Sequence, residues 1–146
     1  MGKIQILNFN DFSPDLLYKV LKLRFNTFVL EQKSLYQEFD DIDYEAIHIL
    51  IQKKGVLVAY MRIFKKDKET ASFGRVVVEE KYRNEGYGKL IVQEGMKYIK
   101  EHIGVKRVDI EAQEYLKSFY ESFGFKQNSK PFEDCGVIHI QMTSQV

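Results

Sequence analysis

The chain has 146 residues, 45% of them hydrophobic and 14% aromatic, which is the size of one domain and enough apolar material for one core. Its 22 basic and 21 acidic residues nearly cancel, so it lacks the basic excess by which a dedicated nucleic-acid binder displaces counterions. The longest apolar runs, 46–51 and 56–63, are strand-length and too short to span a membrane, and the one cysteine, Cys135, has neither a disulfide partner nor a histidine at zinc-site spacing. With no charged segment leading into an apolar signal core, the expectation is one cytoplasmic domain over 1–146, with no metal, no membrane contact and no nucleic acid.

Residues 3–9 alternate with period two around Ile4 and Ile6, predicting a short strand that ends at an Asn/Asp/Ser/Pro cluster. Ser13 followed by Pro14 is a helix start with a hydroxyl cap and a proline in the first turn. Leu16, Val20, Leu23 and Phe28 then carry a helix to about Glu31. Residues 36–45 hold Glu38, Asp40, Asp41, Asp43 and Glu45 with no apolar period and read as a loop with at most a short helical turn. Runs 46–52 and 56–64, joined by Lys53, Lys54 and Gly55, predict an antiparallel hairpin, and 72–78 a further strand.

An apolar stripe through Tyr87, Leu90, Ile91, Met96, Tyr98 and Ile99 predicts a helix over 87–102, stopped by Gly104. A strand at 107–112, a helix at 114–123 and final strands at 125–127 and 137–142 complete the order βα, three strands, αβαββ. That order predicts an α/β domain of the α+β type. Its sheet is mixed and mostly antiparallel, flanked by helices. The C-terminal strand is expected to present an exposed edge, open to a second copy as a homodimer.

The segment 74–88 runs from a strand through a glycine turn directly into a helix. Gly86 and Gly88 let backbone amides approach a ligand, and the helix N-terminus offers free N–H groups and a positive dipole end suited to a pyrophosphate. Arg83 and Lys89 add positive charge nearby. A phosphate loop of the nucleotide-hydrolase kind is excluded because no Gly-Lys-Ser/Thr follows, and the dinucleotide fingerprint because its third glycine is Ile91. By itself the pattern also suits a tight turn with no ligand.

Arg83-Asn-Glu-Gly-Tyr-Gly88 resembles the Gln/Arg-x-x-Gly-x-Gly/Ala signature of the GNAT (GCN5-related) N-acetyltransferases. The likeness extends to the strand around 108–112 and to a last helix ending Phe-Tyr-Glu-Ser-Phe-Gly-Phe at Phe125. Leu23-Arg-Phe-Asn-Thr-Phe, Gly74-Arg-Val-Val-Val78 and Asp134-Cys-Gly-Val-Ile-His139 are similar to the ElaA-type branch. The resemblance implies acetyl-CoA as co-substrate. Its pantetheine arm would lie along a bulged strand at Val76, Val77 and Val78, and its pyrophosphate in the turn of Arg83, Asn84, Glu85, Gly86, Tyr87, Gly88 and Lys89.

It further implies direct attack by a primary amine, of a small molecule or a peptide, on the thioester. Tyr120 is the expected donor of a proton to the leaving thiolate, since a phenol of pKa about 10 keeps its proton at neutral pH. Leu116, Phe119, Tyr120 and Phe123 also share one helical stripe, so Tyr120 equally suits a core position. Some family members place a glutamate base where this chain has Ser72. The remaining base candidates are His48, Glu79, Glu111 and His139, or a chain of waters.

The acidic stretch either attracts a cationic amine or is a solvated loop. Arg24, Arg62 and Arg75, set in apolar runs, each call for a carboxylate partner, and Arg75 is a candidate to line the acceptor pocket. Two other readings stay open: a CoA-binding sensor or interaction module without turnover, and an acyltransferase that forms a signalling lactone.

Overall fold

The computed structural model describes residues 2–146. Strand β1 (Lys3–Asn8) leads to helix α1 (Pro14–Phe25), whose start is fixed by the Ser13 hydroxyl accepting from the amide of Leu16 at 3.2 Å. The helical path continues to Glu31 as a π-turn. Val20 and Arg24, one turn apart on the face of α1 toward the sheet, are both buried. A 3₁₀ turn at Ile42–Tyr44 closes the acidic loop.

Strands β2 (Ile47–Lys53) and β3 (Val56–Lys65) form the expected hairpin. Lys54 at φ 52° and Gly55 at φ 78° make its two-residue turn, the left-handed pair whose twist matches the strands. Strand β4 (Thr70–Val78) pairs with β3, and helix α2 (Tyr87–Tyr98) follows, widening into a π-turn before Gly104. Strand β5 (Arg107–Gln113), helix α3 (Lys117–Glu121), and strands β6 (Lys126–Gln127), β7 (Phe132–Asp134) and β8 (Val137–Gln145) complete the chain.

The sheet runs β1-β2-β3-β4-β5-β8-β6, with β7 also on β8, and is antiparallel except between β4 and β5. One face carries the larger core, built from Ile49, Met61, Ile63, Val108, Ile140 and the inner sides of α2 and α3. The other carries Val20, Leu50, Tyr60 and Val77 beneath α1. The C-terminal strand is not an edge: β8 pairs with β5 along 107–113 and is covered on its other side by β6 and β7. The homodimer expected from that edge therefore loses its basis, because the backbone groups that would recruit a second copy are already used.

Two irregularities in β4 shape the molecule. Between Tyr60 and Arg62 the β3–β4 register slips from Tyr60↔Val77 to Arg62↔Gly74, so three steps on β4 oppose two on β3. The extra residue is a bulge, and Arg75 stands in it at φ 51°, a conformation costly for a residue with a side chain. The parallel pairing to β5 ends after Thr70↔Arg107 and Ala71↔Val108, and the two strands then part. The backbone edge of β4 beyond Ala71 therefore faces a gap, not a neighbouring strand.

Candidate active site

The gap between β4 and β5 opens into a cavity of about 720 Å³, the scale of a small-molecule or cofactor site. Val76, Val77 and Val78 line one wall, and Asn84, Gly86, Tyr87 and Gly88 its far end. The turn there is built from left-handed backbone: Asn84 at φ 66° and Gly86 at φ 89°. The first helical bond of α2 runs from Leu90 N–H to Gly86 C=O at 3.0 Å, and no side chain caps the helix. The amides of Tyr87, Gly88 and Lys89 thus precede that bond, the arrangement that accepts an anion at a helix N-terminus.

The side chains of the turn differ from expectation. Arg83 gives its Nε–H to Val78 C=O at 3.0 Å and both Nη groups to Glu31 at 2.9 and 3.0 Å, so its charge is already matched. The pairing holds the Arg83 guanidinium above its ordinary pKa and ties the turn to the end of the first helix. Glu85 and Lys89 are exposed and do not line the cavity. What the turn offers an anion is therefore mainly backbone amides, and the predicted positive side chains add little beside them.

Tyr120 is compatible with both readings. Its ring packs among Phe73, Phe119 and Phe125 at centroid distances of 6.0, 5.0 and 6.2 Å, and burial pushes its phenol pKa up. Yet its hydroxyl has no hydrogen-bond partner among the described residues and is not sealed from solvent, and the residue borders the cavity. The ring is core while the phenol keeps its proton.

His48 corrects an expectation. It is 1% exposed, lies outside the cavity wall, and both ring nitrogens are engaged. Nε2–H donates to Asp43 C=O at 2.9 Å, which leaves Nδ1 to accept from the Tyr60 hydroxyl at 2.6 Å. Burial lowers its pKa, so it is neutral and structural, with no lone pair to offer a substrate. Glu79 is likewise occupied, accepting the amide of Lys81 at 2.7 Å. Glu111 and His139, from adjoining strands β5 and β8, do border the cavity. Glu111 is exposed and has no cationic partner among the described residues, and His139 donates Nδ1–H to Val137 C=O at 2.9 Å, leaving Nε2 as a free lone pair.

Three of the five carboxylates of the acidic stretch, Glu38, Asp40 and Asp43, are taken up by arginines, while Asp41 and Glu45 are exposed. Arg24 donates Nε–H to Glu38 at 2.8 Å and its Nη groups to Asp43 at 2.8 and 3.1 Å, while Arg62 grips Asp40 at 2.6 and 2.7 Å and Asp43 at 3.0 Å. Arg75 adds Nε–H to Glu38 at 2.8 Å, and Tyr36 donates its hydroxyl to the other Glu38 oxygen. Three arginines thus match three carboxylates, and the hydrogen bonds from Arg24 and Arg62 hold Asp40 and Asp43 below the ordinary carboxylate pKa despite burial. The expectation that each arginine pairs with a carboxylate is met.

A further contact closes the roof. Cys135 (φ 50°) and Gly136 (φ 85°) form the turn between β7 and β8, and Ser34, 4% exposed, donates its hydroxyl to Cys135 C=O at 2.6 Å. The Asp-Cys-Gly-Val run carries the same two-residue turn signal as Lys54-Gly55.

Comparison with known proteins decides the family. An acetyltransferase (GNAT) domain profile matches residues 10–146. The chain belongs to the GNAT acetyltransferase family. Protein ElaA of Escherichia coli is 38% identical over 97% of this chain and 95% of its own length. The E. coli ElaA crystal structure superposes with a TM-score of 0.93, covering 99% of both chains. An acyl-CoA N-acyltransferase from Pseudomonas aeruginosa, 26% identical, gives 0.92 with 99% of both covered. A GNAT family acetyltransferase from Elizabethkingia anophelis with acetyl-CoA bound, at 16% identity and a TM-score of 0.69 over 98% of both chains, shares the fold. GNAT membership supports acyl transfer as the general class of activity. Among the described residues no helix is long and apolar enough to cross a membrane.

Proposed function

We propose that the protein is a cytoplasmic N-acetyltransferase that takes its acetyl group from acetyl-CoA and passes it to a primary amine by direct attack. The supporting observation is the opening of the sheet after Ala71 and Val108. It sets an unpaired strand edge, an uncapped helix N-terminus and an unpartnered phenol around one cavity. Acetyl-CoA supplies an activated thioester when bound. The β4 backbone at Val76, Val77 and Val78 would hold its extended arm, and the Tyr87, Gly88 and Lys89 amides its pyrophosphate.

The amine nitrogen forms the new N–C bond as the C–S bond breaks. An amine proton leaves on the β5–β8 side, to Glu111 or to Nε2 of His139. The Tyr120 hydroxyl protonates the sulfur that departs, since a phenol holds its proton throughout the neutral range. Holding both reactants in one cleft supplies the remainder of the rate, by proximity.

A thiol-release screen over diverse amines with acetyl-CoA tests this reading. Release with some amine, slowed in Tyr120→Phe while acetyl-CoA affinity holds, is the expected result. Tight acetyl-CoA binding with no release from any amine would instead mark a CoA-binding module.

A further inference from the structure

Arg75 occupies a place that backbone energetics disfavour. An arginine at φ 51° in a strand bulge is strained where a glycine would be relaxed, and such strain is retained where the surrounding structure holds it. Here Glu38, 1% exposed, takes the Arg75 Nε–H at 2.8 Å, and its carbonyl takes Nη2 at 3.3 Å. The Tyr36 ring lies 5.6 Å beneath the guanidinium. Nη2 also reaches Asp40 at 3.4 Å, and Nη1 has no partner among the described residues. The side chain is thus fixed on three sides, is 22% exposed, and borders the cavity directly beside Val76.

The charges around the cleft separate by wall. On the β3–β4 side Glu38, Asp40 and Asp43 are taken up by arginines, so what remains uncommitted at the wall is a hydrogen-bond donor, Arg75 Nη1, with the exposed Lys66 farther along. On the opposite side Glu111 and Asp134 border the cavity with no cationic partner among the described residues. An acceptor with only an amine would leave the Arg75 Nη1 donor without a partner. An acceptor with an amine and a carboxylate would complement both walls.

We infer that the acceptor carries a carboxylate beside its amine, as an amino acid does, and that Arg75, positioned by Glu38 and Tyr36, reads that carboxylate. This rests on the acyl-transfer reading of the cleft and goes beyond it in naming the acceptor's chemistry.

The test compares thiol release from free amino acids with release from their carboxamides at saturating acetyl-CoA. For the amino acids that react, kcat/KM should exceed that of the matching carboxamide by about tenfold or more, the usual scale of one charge-assisted hydrogen bond. Arg75→Gln, shown folded by its thermal melt, should collapse that ratio toward one by losing rate on the carboxylate member, with acetyl-CoA affinity retained. Arg75→Lys should recover part of it. Equal wild-type rates on the paired compounds, an acceptor without a carboxylate emerging as best, or a ratio surviving in Arg75→Gln would each overturn the inference. The wild-type comparison stands even where a variant fails to fold. Failure to bind acetyl-CoA, or to release thiol with any amine, is a separate result, because it removes the acyl-transfer reading itself.

Discussion

The two faces of the sheet treat polar groups in opposite ways. Beneath α1, Arg24, Arg62, Glu38, Asp43, Tyr60 and His48 are buried and answer one another's hydrogen bonds almost completely. Around the opening between β4 and β5, the first-turn α2 amides, the Tyr120 hydroxyl, Arg75 Nη1 and Glu111 lack partners among the described residues. Buried polar groups are normally satisfied, so the first set reads as architecture, whereas the second set faces the open cleft. Chemical type alone misleads here: histidine is the usual base, yet His48 is framework, while the phenol of Tyr120, whose ring sits in the core, is the proton donor we propose.

The contrast can be broken from the framework side first. Arg24→Met leaves three buried or half-buried carboxylates with two arginines, Glu38 keeping only Arg75 and Asp43 only Arg62, and should cost about 3–5 kcal/mol in urea unfolding. A loss below about 1 kcal/mol would mean that the lattice relaxes to water and is no framework. Tyr120→Phe should do the reverse. With no hydrogen bond to lose, stability should move by less than about 1 kcal/mol, while kcat should fall about a hundredfold with little change in acetyl-CoA affinity. Gly86→Ala probes the turn between the two regions. A Cβ at φ 89° should cost about 1 kcal/mol of stability and weaken acetyl-CoA binding in calorimetry by tilting the α2 amides.

The smallest effect is acid sensitivity, and it too belongs to the framework. His48 has a folded pKa below its ordinary 6.5, so the unfolded chain binds more protons as pH falls below that value, and stability should decline from there down to the folded pKa. Asp40 and Asp43 have folded pKa values below 3.8, so their contribution is present above that value and is lost as pH falls through the folded ones. Unfolding free energy should therefore drop in two stages, the first absent in His48→Asn. A single acid step, unchanged in His48→Asn, would mean that His48 titrates alike folded and unfolded.

Local chemistry made much of this readable from the residues. The Ser13-Pro14 start, the Lys54-Gly55 turn, the Gly104 stop and the glycine turn at 83–88 are each decided within a few residues, and each stands where its signals put it. Longer-range facts were not readable. No local pattern shows that Glu38 meets both Arg24 and Arg75, since loop, helix and bulge come together only in the folded sheet. The C-terminal strand reads as an edge because the three-residue β7 leaves almost no periodic trace and nothing local says that the strand at 125–127 pairs with it, yet β6 and β7 cover it. The π-turns ending α1 and α2 were hidden within ordinary helical spacing. His48 was misplaced for the same reason, because its partners Tyr60 and Asp43 are fixed by strand register and by the loop.

Calorimetric titration of the folded protein with acetyl-CoA and with CoA tests the central claim most directly. The unpaired β4 edge and the uncapped α2 N-terminus predict one saturable site of micromolar affinity for both, weakened in Gly86→Ala and unaltered in Tyr120→Phe. No binding by folded protein would contradict the account, and would mean that the turn at 83–88 joins a strand to a helix and does nothing more.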